Sequence, residues 1–414
     1  MKFFFFFIFL FFFALQSCSK KTVPNPVITS TSNEDKTEKI FYTGAENFDY
    51  YRSLLKNEKV GIVTNPSGIL SKLHHKFRHH DSFDQPKSIV DFLIENNINV
   101  TTIYAPEHGF RGNADAGEVI KDGKDIATGL PIISLYGSNK KPTPEQLQDV
   151  SIMVFDLQDV GVRFYTYISS LHFLMEACAE QNIPLIVLDR PNPNGHIIDG
   201  PILEAKHQSF VGMHPVPVLH GMTIGEYAKM INGEKWLKDG IQCDLTVVPC
   251  KNYNHHINYS LPVRPSPNLP NDLSINLYAS LCFFEGTNVS VGRGTEKQFQ
   301  IFGSPFLKNY TFEFVPKPNL GAKNPLHNGL VCYGKDLSEA RFVHRLNLEW
   351  LIEAYQNTED QTVFFISFFE KLAGTDTLRS QIESGKTAEE ISATWKQDLE
   401  IFKSVRKKYL IYKH

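Results

Sequence analysis

Short, predominantly apolar runs separate longer polar and amphipathic stretches through the first 260 residues of the chain. Five such runs occur, at Val60–Val63, Ile98–Tyr104, Ile152–Phe155, Leu185–Leu188 and Leu245–Val248. Apolar runs that are continuous rather than alternating are typical of strands buried on both faces of a parallel sheet. We therefore predict that these five runs are strands of one parallel sheet.

The stretches between the runs predict helices. Lys87–Asn96 and Leu171–Gln181 carry apolar residues three and four positions apart, which gives a helix one buried stripe. Because β and α segments alternate, we predict an open α/β sheet and assign residues 40–260 to a Rossmann-like catalytic domain. Beyond it the proline content rises, and residues 261–414 are predicted to form a smaller α+β auxiliary domain that completes a cleft. Its final helix is expected between Thr387 and Tyr409.

The N-terminus follows a different pattern. One lysine precedes a short phenylalanine-rich run that ends in Leu15-Gln16-Ser17-Cys18. A run of this kind is typical of an export signal, and it is too short to span a hydrocarbon core of about 30 Å. The last four residues resemble a bacterial lipobox, in which the cysteine is acylated and becomes the mature N-terminus. We predict a lipoprotein signal peptide at 1–17, lipidation of Cys18, a flexible tether at 18–39, and a cell-envelope protein anchored in a membrane.

Charge and cysteine content restrict the partners. The formal net charge is −3, and removing residues 1–17 deletes one lysine, which takes it to −4. Nucleic acid is not an expected partner, because binding to phosphates requires a basic excess. The glycine-rich motifs of nucleotide-binding loops are absent, so we predict no nucleotide and no cofactor. The five cysteines after Cys18 lack zinc-binding spacing, and we predict packed thiols and no metal site.

Polar side chains follow four of the predicted strands, at the sheet edge where open α/β sheets bind ligands. The tightest group is one glycine-bounded turn that carries Glu107, His108 and Arg111. The other candidate substrate-binding residues are Asn65, Asp156, Asp159, Arg163, Tyr165, Asp189, Arg190, Glu285 and Arg293. Taken singly, each also fits a solvent-facing loop or an internal ion pair, and for Arg190 a pair with Asp189 is an equally good interpretation.

Five segments give the chain a family resemblance. They are PEHGFRG at 106–112, FDLQDVGVRFYTY at 155–167, LDRPNP at 188–193, PSPNLP at 265–270 and FEGTNVSVGRGT at 284–295. In this order they resemble the NamZ-type exo-β-N-acetylmuramidases, a family of bacterial peptidoglycan hydrolases long catalogued as a domain of unknown function. The resemblance implies a Rossmann-like domain, an auxiliary domain and an active cleft between them. It also implies release of N-acetylmuramic acid from the non-reducing ends of peptidoglycan chains, with the catalytic glutamate at Glu107.

Cleavage of a glycosidic bond needs a proton donor and a second group on the other side of the sugar. We predict Glu107 as the general acid/base. The second group stays open: it is the substrate's own N-acetyl group, oriented by an aspartate, or one of Glu118, Asp156, Asp159, Glu285 and Glu296. Muramic acid also carries a lactyl carboxylate, for which a selective site needs a cation. The candidate cations are Arg111, Arg163, Arg190 and Arg293.

Two other functions use the same residues. A metal-dependent hydrolase would take His108, His172 and His220 as ligands, but no His-Glu-x-x-His or similar pair is present. A non-catalytic lipoprotein that binds cell-wall sugars would keep the cleft and lack the acid, and the presence of Glu107 argues against it.

Overall fold

The structure, a computed structural model, describes residues 41–70, 86–111 and 122–412. Its strands are β1 (Val60–Thr64), β2 (Ile69–Leu70), β3 (Lys87–Ser88), β4 (Val100–Ala105), β5 (Gly123–Lys124), β6 (Pro131–Ser134), β7 (Ile152–Asp156), β8 (Leu185–Leu188), β9 (Leu245–Val248), β10 (Ile301–Ser304), β11 (Phe312–Phe314) and β12 (Cys332–Asp336). Its helices are α1 (Phe48–Leu55), α2 (Ile89–Glu95), α3 (Pro144–Leu147), α4 (Tyr167–Gln181), α5 (Ile224–Gly233), α6 (Asp272–Leu281), α7 (Glu349–Gln356), α8 (Phe369–Ala373), α9 (Thr377–Glu383), α10 (Ala388–Thr394) and α11 (Lys396–Arg406). The predicted signal peptide, tether and Cys18, and also Glu118, lie outside the described residues.

All five predicted strands belong to one seven-stranded sheet, in the order β5-β6-β4-β1-β7-β8-β9. Six of the strands are parallel, and β5 pairs antiparallel with β6 at the edge. Numbered along the chain, the six parallel strands lie in the order 3-2-1-4-5-6, which is the doubly wound Rossmann order. The predicted Rossmann-like α/β fold is therefore confirmed. The strand order reverses between β1 and β7, which is where such sheets bind ligands.

The sequence pattern did not predict β6. This strand begins at Pro131 and is partly exposed, so it lacks the fully apolar run that marks the buried strands. Among the helices, α4 begins at Tyr167, four residues before the predicted start, with Thr166 as its N-cap. This earlier start places Thr166 and the tyrosines of segment 155–167 at the ligand-binding edge of the sheet.

The C-terminal part contains a second, smaller sheet. Its strands pair antiparallel in the order β10-β12-β11, and helices α6 to α11 accompany it, which confirms the predicted smaller α+β unit. The predicted final helix is two helices, α10 and α11, which meet at the buried Trp395. The Trp395 indole donates a hydrogen bond to Asp199 Oδ1 at 3.0 Å, so this break is tied to the N-terminal part of the chain. The boundary at residue 260 stays a prediction.

Two apolar clusters cover the faces of the large sheet. One packs α1 and α2 against it, through residues such as Phe48 and Phe92. The other packs α4 and α5 against the opposite face and continues without interruption into the C-terminal helices, where it includes Phe283 and Phe369. The five cysteines of the described chain are buried and unpaired, as predicted. None of the described helices has the length and apolar character needed to cross a bilayer.

Ile411 and Tyr412 pack against the predicted Rossmann-like domain. The Tyr412 hydroxyl donates to Asp189 Oδ2 at 2.6 Å and accepts from the Cys250 amide at 2.8 Å. The Ile411 amide donates to Glu226 Oε1 at 2.9 Å. These two residues therefore complete hydrogen bonds of buried carboxylates that belong to that domain.

Candidate active site

The turn that follows β4 carries Glu107. His108 and Gly109 both have positive φ, 74° and 72°, and the Gly109 amide donates to the Pro106 carbonyl at 3.1 Å. A non-glycine residue in this region costs about 1–3 kcal/mol and is held there by its surroundings, a form of strain that concentrates at functional sites. Phe110 is buried in the cluster with α1 and α2, which fixes the far side of the turn.

The Glu107 carboxylate is half-buried and oriented by two hydroxyl groups. Thr166 Oγ1, at the N-cap of α4, donates to Glu107 Oε2 at 2.7 Å. Tyr136, which follows β6, hydrogen-bonds Glu107 as well, and burial together with the Glu107 charge raises the pKa of Tyr136 above its ordinary value. Tyr136 therefore stays protonated and acts as a donor. Glu107 is fixed in position by groups from two separate elements.

Glu107 lines a cavity of about 160 Å³ at the edge of the sheet, which we call the inner chamber. Its walls are largely aromatic: Tyr136, Phe164, Tyr165, Tyr167, Phe210, Tyr278 and Phe299. Its polar lining consists of Glu107, His108, Thr166, Ser266, Asn268, Glu285 and Arg293. Apolar walls with a few convergent polar groups are the usual composition of a small-molecule site.

A second cavity of about 280 Å³, which we call the outer chamber, adjoins the first and shares His108 and Ser266 with it. Asn65, Pro66 and Ser67 from the loop after β1 form one wall. The other lining residues come from the C-terminal part and are Arg264, Pro265, Pro267, Glu296, Gln298, Asn319, Leu320 and Gly321. Both predicted domains thus contribute to the outer chamber.

A larger cavity, about 640 Å³, lies elsewhere, among Trp236, Trp395 and Phe402. It shares no lining residue with either chamber. We assign the candidate active site to the two chambers despite their smaller size. They lie at the carboxyl ends of β1 and β4, where a doubly wound sheet binds its ligand, and they contain the oriented carboxylate.

Glu285 and Arg293 form an ion pair in the inner chamber, with Arg293 Nε 2.5 Å from Glu285 Oε1. The Arg293 guanidinium also lies 5.2 Å from the centre of the Phe299 ring, within the range of a cation–π contact. The charge of Arg293 is therefore largely compensated within the protein. The structure brings together five of the predicted site residues in this chamber: Glu107, His108, Tyr165, Glu285 and Arg293.

Asn65 lines the outer chamber, and it also shapes the loop after β1. Its side-chain oxygen accepts from the Ser67 amide at 2.9 Å and from Ser67 Oγ, which closes an Asx turn. Its amide nitrogen donates to the Tyr167 hydroxyl. Asn65 joins the loop after β1 to α4 at the mouth of the site.

The structure places Arg111 outside both chambers. Its guanidinium binds both carboxylate oxygens of Asp125, at 3.0 and 2.9 Å, and a second carboxylate, Asp91, at 3.7 Å. The pKa of Asp125 is lowered, first of all by its hydrogen bond from Arg111. The predicted role of Arg111 in binding a substrate carboxylate is corrected, because two aspartates already occupy this cation.

Asp156 and Arg190 are a buried ion pair rather than cavity residues. Arg190 Nε lies 2.7 Å from Asp156 Oδ1 and Nη2 lies 2.9 Å from Oδ2, while Nη2 also donates to the Ile69 carbonyl. Both side chains are almost fully enclosed, which corrects their predicted substrate-binding roles. Arg190 therefore pairs with Asp156, and not with its neighbour Asp189 as the sequence also allowed.

Asp189 and Asp159 are buried outside the chambers as well, which corrects their predicted roles. Asp189 accepts hydrogen bonds from the Tyr412 hydroxyl, Thr223 Oγ1 and the Gly225 amide, yet burial raises its pKa to about 6. Asp159, 4% exposed, accepts from the Gly161 amide at 2.6 Å through Oδ2. Its Oδ1 has no partner among the described residues, and burial raises the pKa of Asp159 to about 7.

Arg163 is fully buried and joins the two parts of the chain. Its Nη1 donates to the carbonyls of Pro201 and Val216 at 2.7 and 2.9 Å, and its Nη2 donates to those of Leu372 and Ala373 at 2.9 and 2.7 Å. Leu372 and Ala373 belong to α8 of the C-terminal part. A side chain without exposed surface offers nothing to a substrate, so the predicted role of Arg163 is corrected to a structural one.

The histidines considered as metal ligands lie apart. His172 contacts His214, with 2.9 Å between Nδ1 and Nε2, and burial lowers the pKa of His220 to about 3. Within the part of the chain that the structure describes, no group of three His, Cys, Asp or Glu side chains is arranged to hold a metal ion.

Several cavity residues were missed by sequence reasoning: Tyr136, Thr166, Arg264, Asn268 and Gln298. Thr166 and Asn268 lie inside the motif segments, but neither carries a charge that would single it out. Asn268 Oδ1 and Gln298 Oε1 are buried side-chain oxygens without a hydrogen-bond partner among the described residues, and both belong to the chamber walls.

The chain matches known protein families along most of its length. Residues 60–273 match the family model described as exo-beta-N-acetylmuramidase NamZ, N-terminal, and residues 276–412 match the corresponding C-terminal model. The peptidoglycan beta-N-acetylmuramidase NamZ of Bacillus subtilis strain 168 is 41% identical over 386 residues, which cover 87% of this chain and 89% of that protein.

Two solved structures are also similar, and both are DUF1343 family proteins from Bacteroides fragilis. The first has 46% sequence identity and a TM-score of 0.81, and the second has 28% identity and a TM-score of 0.72. Each comparison covers 90% of this chain and 99% of the other. The fold described above is thus shared along nearly the whole length of these chains.

Proposed function

The chain belongs to the exo-beta-N-acetylmuramidase NamZ family, and we propose that Glu107 is the general acid/base with which it cleaves its substrate. It is a glycoside hydrolase that acts on the non-reducing ends of peptidoglycan fragments and releases N-acetylmuramic acid. The observation that carries the assignment of Glu107 is its position: a half-buried carboxylate, held by Thr166 and Tyr136, on the wall of the inner chamber.

In this reaction Glu107 gives its proton to the glycosidic oxygen while the bond from that oxygen to the anomeric carbon breaks. The bonding electrons leave with the departing sugar, and positive charge develops at the anomeric carbon. In a retaining route a nucleophile bonds to that carbon as the leaving group departs; water then attacks the same carbon, the bond to the nucleophile breaks, and the Glu107 carboxylate takes the proton of the water. In an inverting route water attacks directly and a second group takes its proton, so Glu107 acts only as the acid.

Burial narrows the choice of the second group. Asp156 and Asp159 do not line the chambers, and Glu118 lies outside the described residues. Glu285 lines the inner chamber as the partner of Arg293, and Glu296 is exposed in the outer chamber. Among the described residues the candidates that remain are Glu285 and Glu296; Glu118 and the acetamido group of the substrate itself stay open as well. The anomeric configuration of the first-formed product, followed by proton NMR, separates retaining from inverting routes.

The test of Glu107 is the Glu107→Gln variant, assayed for release of N-acetylmuramic acid from a disaccharide with N-acetylmuramic acid at its non-reducing end. Loss of the proton donor should lower kcat by about 10²–10⁴-fold. A 4-nitrophenyl glycoside should lose less, because nitrophenolate departs without protonation. Glu313→Gln, at an exposed position of β11, is the matched control and should retain full activity.

An equal loss on both substrates would assign Glu107 to another step, and unchanged turnover of the disaccharide would remove it from the mechanism. Circular dichroism of the variant checks that the fold is retained. Turnover that persists in a chelator is expected. Loss of turnover in a chelator would instead favour the metal-dependent alternative.

We also infer that the protein is a lipoprotein of the cell envelope, acylated at Cys18. The support is the apolar export signal followed by Leu15-Gln16-Ser17-Cys18. Cys18→Ala should move the protein from the membrane fraction to the soluble fraction. Retention of that variant in the membrane fraction would contradict the anchor.

A further inference from the structure

Arg264 in the outer chamber differs from the other arginines near the site. It is exposed, it lines the chamber, and no carboxylate among the described residues pairs with it. Arg111 and Arg293, in contrast, are each occupied by a protein carboxylate. Arg264 is therefore a guanidinium whose charge is available to a ligand that enters the chamber.

The backbone next to Arg264 is held in place by hydrogen bonds from α4 and the segment before it. The carbonyl of Pro265 accepts from the hydroxyl of Tyr165 at 2.7 Å and from that of Tyr167 at 3.4 Å. Pro265 and Pro267 restrict the backbone angles of this loop. A loop that is already ordered loses little conformational freedom on binding, so the arginine can be used for recognition at low entropic cost.

The two chambers also carry polar side chains among their apolar walls. Ser266 lines both chambers, Thr166 and Asn268 line the inner one, and Gln298 and Asn319 line the outer one. Hydroxyl and amide groups can hydrogen-bond the hydroxyl and acetamido groups of a sugar, so the two chambers together suit a polar ligand with a negative group near Arg264.

We propose that Arg264 selects N-acetylmuramic acid over N-acetylglucosamine by binding the lactyl carboxylate. This inference rests on the proposed function. The two sugars differ only in the lactyl ether, whose carboxylate a guanidinium can bind through two parallel hydrogen bonds. The chain without residues 1–17 is net negative, so a carboxylate substrate needs a local cation.

The experiment compares 4-nitrophenyl β-N-acetylmuramide with its lactyl methyl ester, which keeps the shape of the group and removes the charge. Arg264→Gln should lower kcat/KM for the acid by about 10- to 100-fold, as expected for loss of a hydrogen bond to a charged group, and leave the ester essentially unchanged. Arg264→Lys keeps the charge without the paired donors. Its kcat/KM for the acid should lie between the values of the parent and of Arg264→Gln.

Arg341→Gln is the matched control. Arg341 is an exposed arginine without an ion pair among the described residues, and it lines neither chamber. Arg341→Gln changes the net charge by the same amount as Arg264→Gln and should leave kcat/KM unchanged for both substrates. If Arg264→Gln lowers kcat/KM equally for the acid and the ester, Arg264 only shapes the chamber. If it lowers kcat/KM for neither substrate, the lactyl group binds elsewhere. Either result overturns the proposal.

A binding measurement separates this inference from the assignment of Glu107. N-acetylmuramic acid and its methyl ester are titrated by calorimetry into Glu107→Gln and into Glu107→Gln combined with Arg264→Gln. The second change should weaken binding of the acid by the same 10- to 100-fold and spare the ester. This comparison needs no turnover, so it decides the role of Arg264 even if Glu107 is not the catalytic acid.

Discussion

Asp159 offers a quantitative test of how a buried charge acts on this fold. The carboxylate lies beside the site, one oxygen bonded to the Gly161 amide and the other without a partner among the described residues. Burial raises its pKa from an ordinary value of 3.8 to about 7. Between pH 3.8 and about pH 7, Asp159 is therefore protonated in the folded protein and ionised in the unfolded chain. Stability should be greatest at low pH and fall as the pH rises toward 7.

The size of the effect follows from the two pKa values. The difference corresponds to ~4 kcal/mol of unfolding free energy, present below pH 4 and lost once the pH has risen through 7. Asp159→Asn removes the titration. The asparagine oxygen can still accept from the Gly161 amide, but its NH₂ group takes the place of the unpartnered oxygen, which costs about 1–3 kcal/mol. The stability of the variant relative to the parent should therefore rise by about 2–3 kcal/mol from pH 5 to pH 8, with the variant the more stable protein at pH 8.

Urea unfolding of the parent and of Asp159→Asn at pH 5, 6, 7 and 8 measures this difference. Other buried acids also titrate, but their contributions cancel when the two proteins are compared at each pH. Asp244→Asn, at an exposed position, is the control and should show a pH-independent difference. A difference between parent and Asp159→Asn that stays constant from pH 5 to pH 8 would refute the burial argument.

Two further predictions concern the framework of the site. Thr166→Val removes the hydroxyl that donates to Glu107 and should lower kcat about tenfold, with KM and Tm unchanged. Thr166→Ser, which restores the hydroxyl, should recover kcat. A change in KM alone would contradict the positioning role. Arg190→Met leaves the Asp156 carboxylate buried without its cation and should lower the free energy of unfolding in urea by about 3–5 kcal/mol. Adding Asp156→Leu should recover most of this loss. A loss under about 1 kcal/mol in Arg190→Met alone would contradict the stabilising role of the ion pair.

Much of the fold could be predicted because its strands are buried on both faces. β8 and β9 have the predicted bounds, and the other three predicted strands lie within two residues of theirs. β6 was missed for the converse reason, since a partly exposed strand that begins with proline has no continuous apolar run. The single predicted helix at the C-terminus became two because Trp395 turns inward to reach Asp199, a tertiary contact that helical periodicity does not encode.

The site could be predicted where local residues such as glycine determine the backbone geometry. It could not be predicted where the role of a charged residue depends on whether it forms an ion pair with a residue distant in the chain. The glycine-bounded turn placed Glu107 and His108 on the cavity wall. Charged residues after the other strands were ambiguous, because a carboxylate at a strand end can face a ligand or a neighbouring arginine. Asp156 shows this: its partner Arg190 is 34 residues away in the chain and adjacent only once β7 and β8 are paired. Arg264 went unnoticed since nothing local shows that it lacks a partner.

The hydrogen bonds from Ile411 and Tyr412 to Glu226 and Asp189 join segments that lie some two hundred residues apart in the chain. Both carboxylates are buried, so without these donors they would be left with fewer partners. A truncation before Ile411 should therefore destabilise the large sheet rather than the C-terminal part alone.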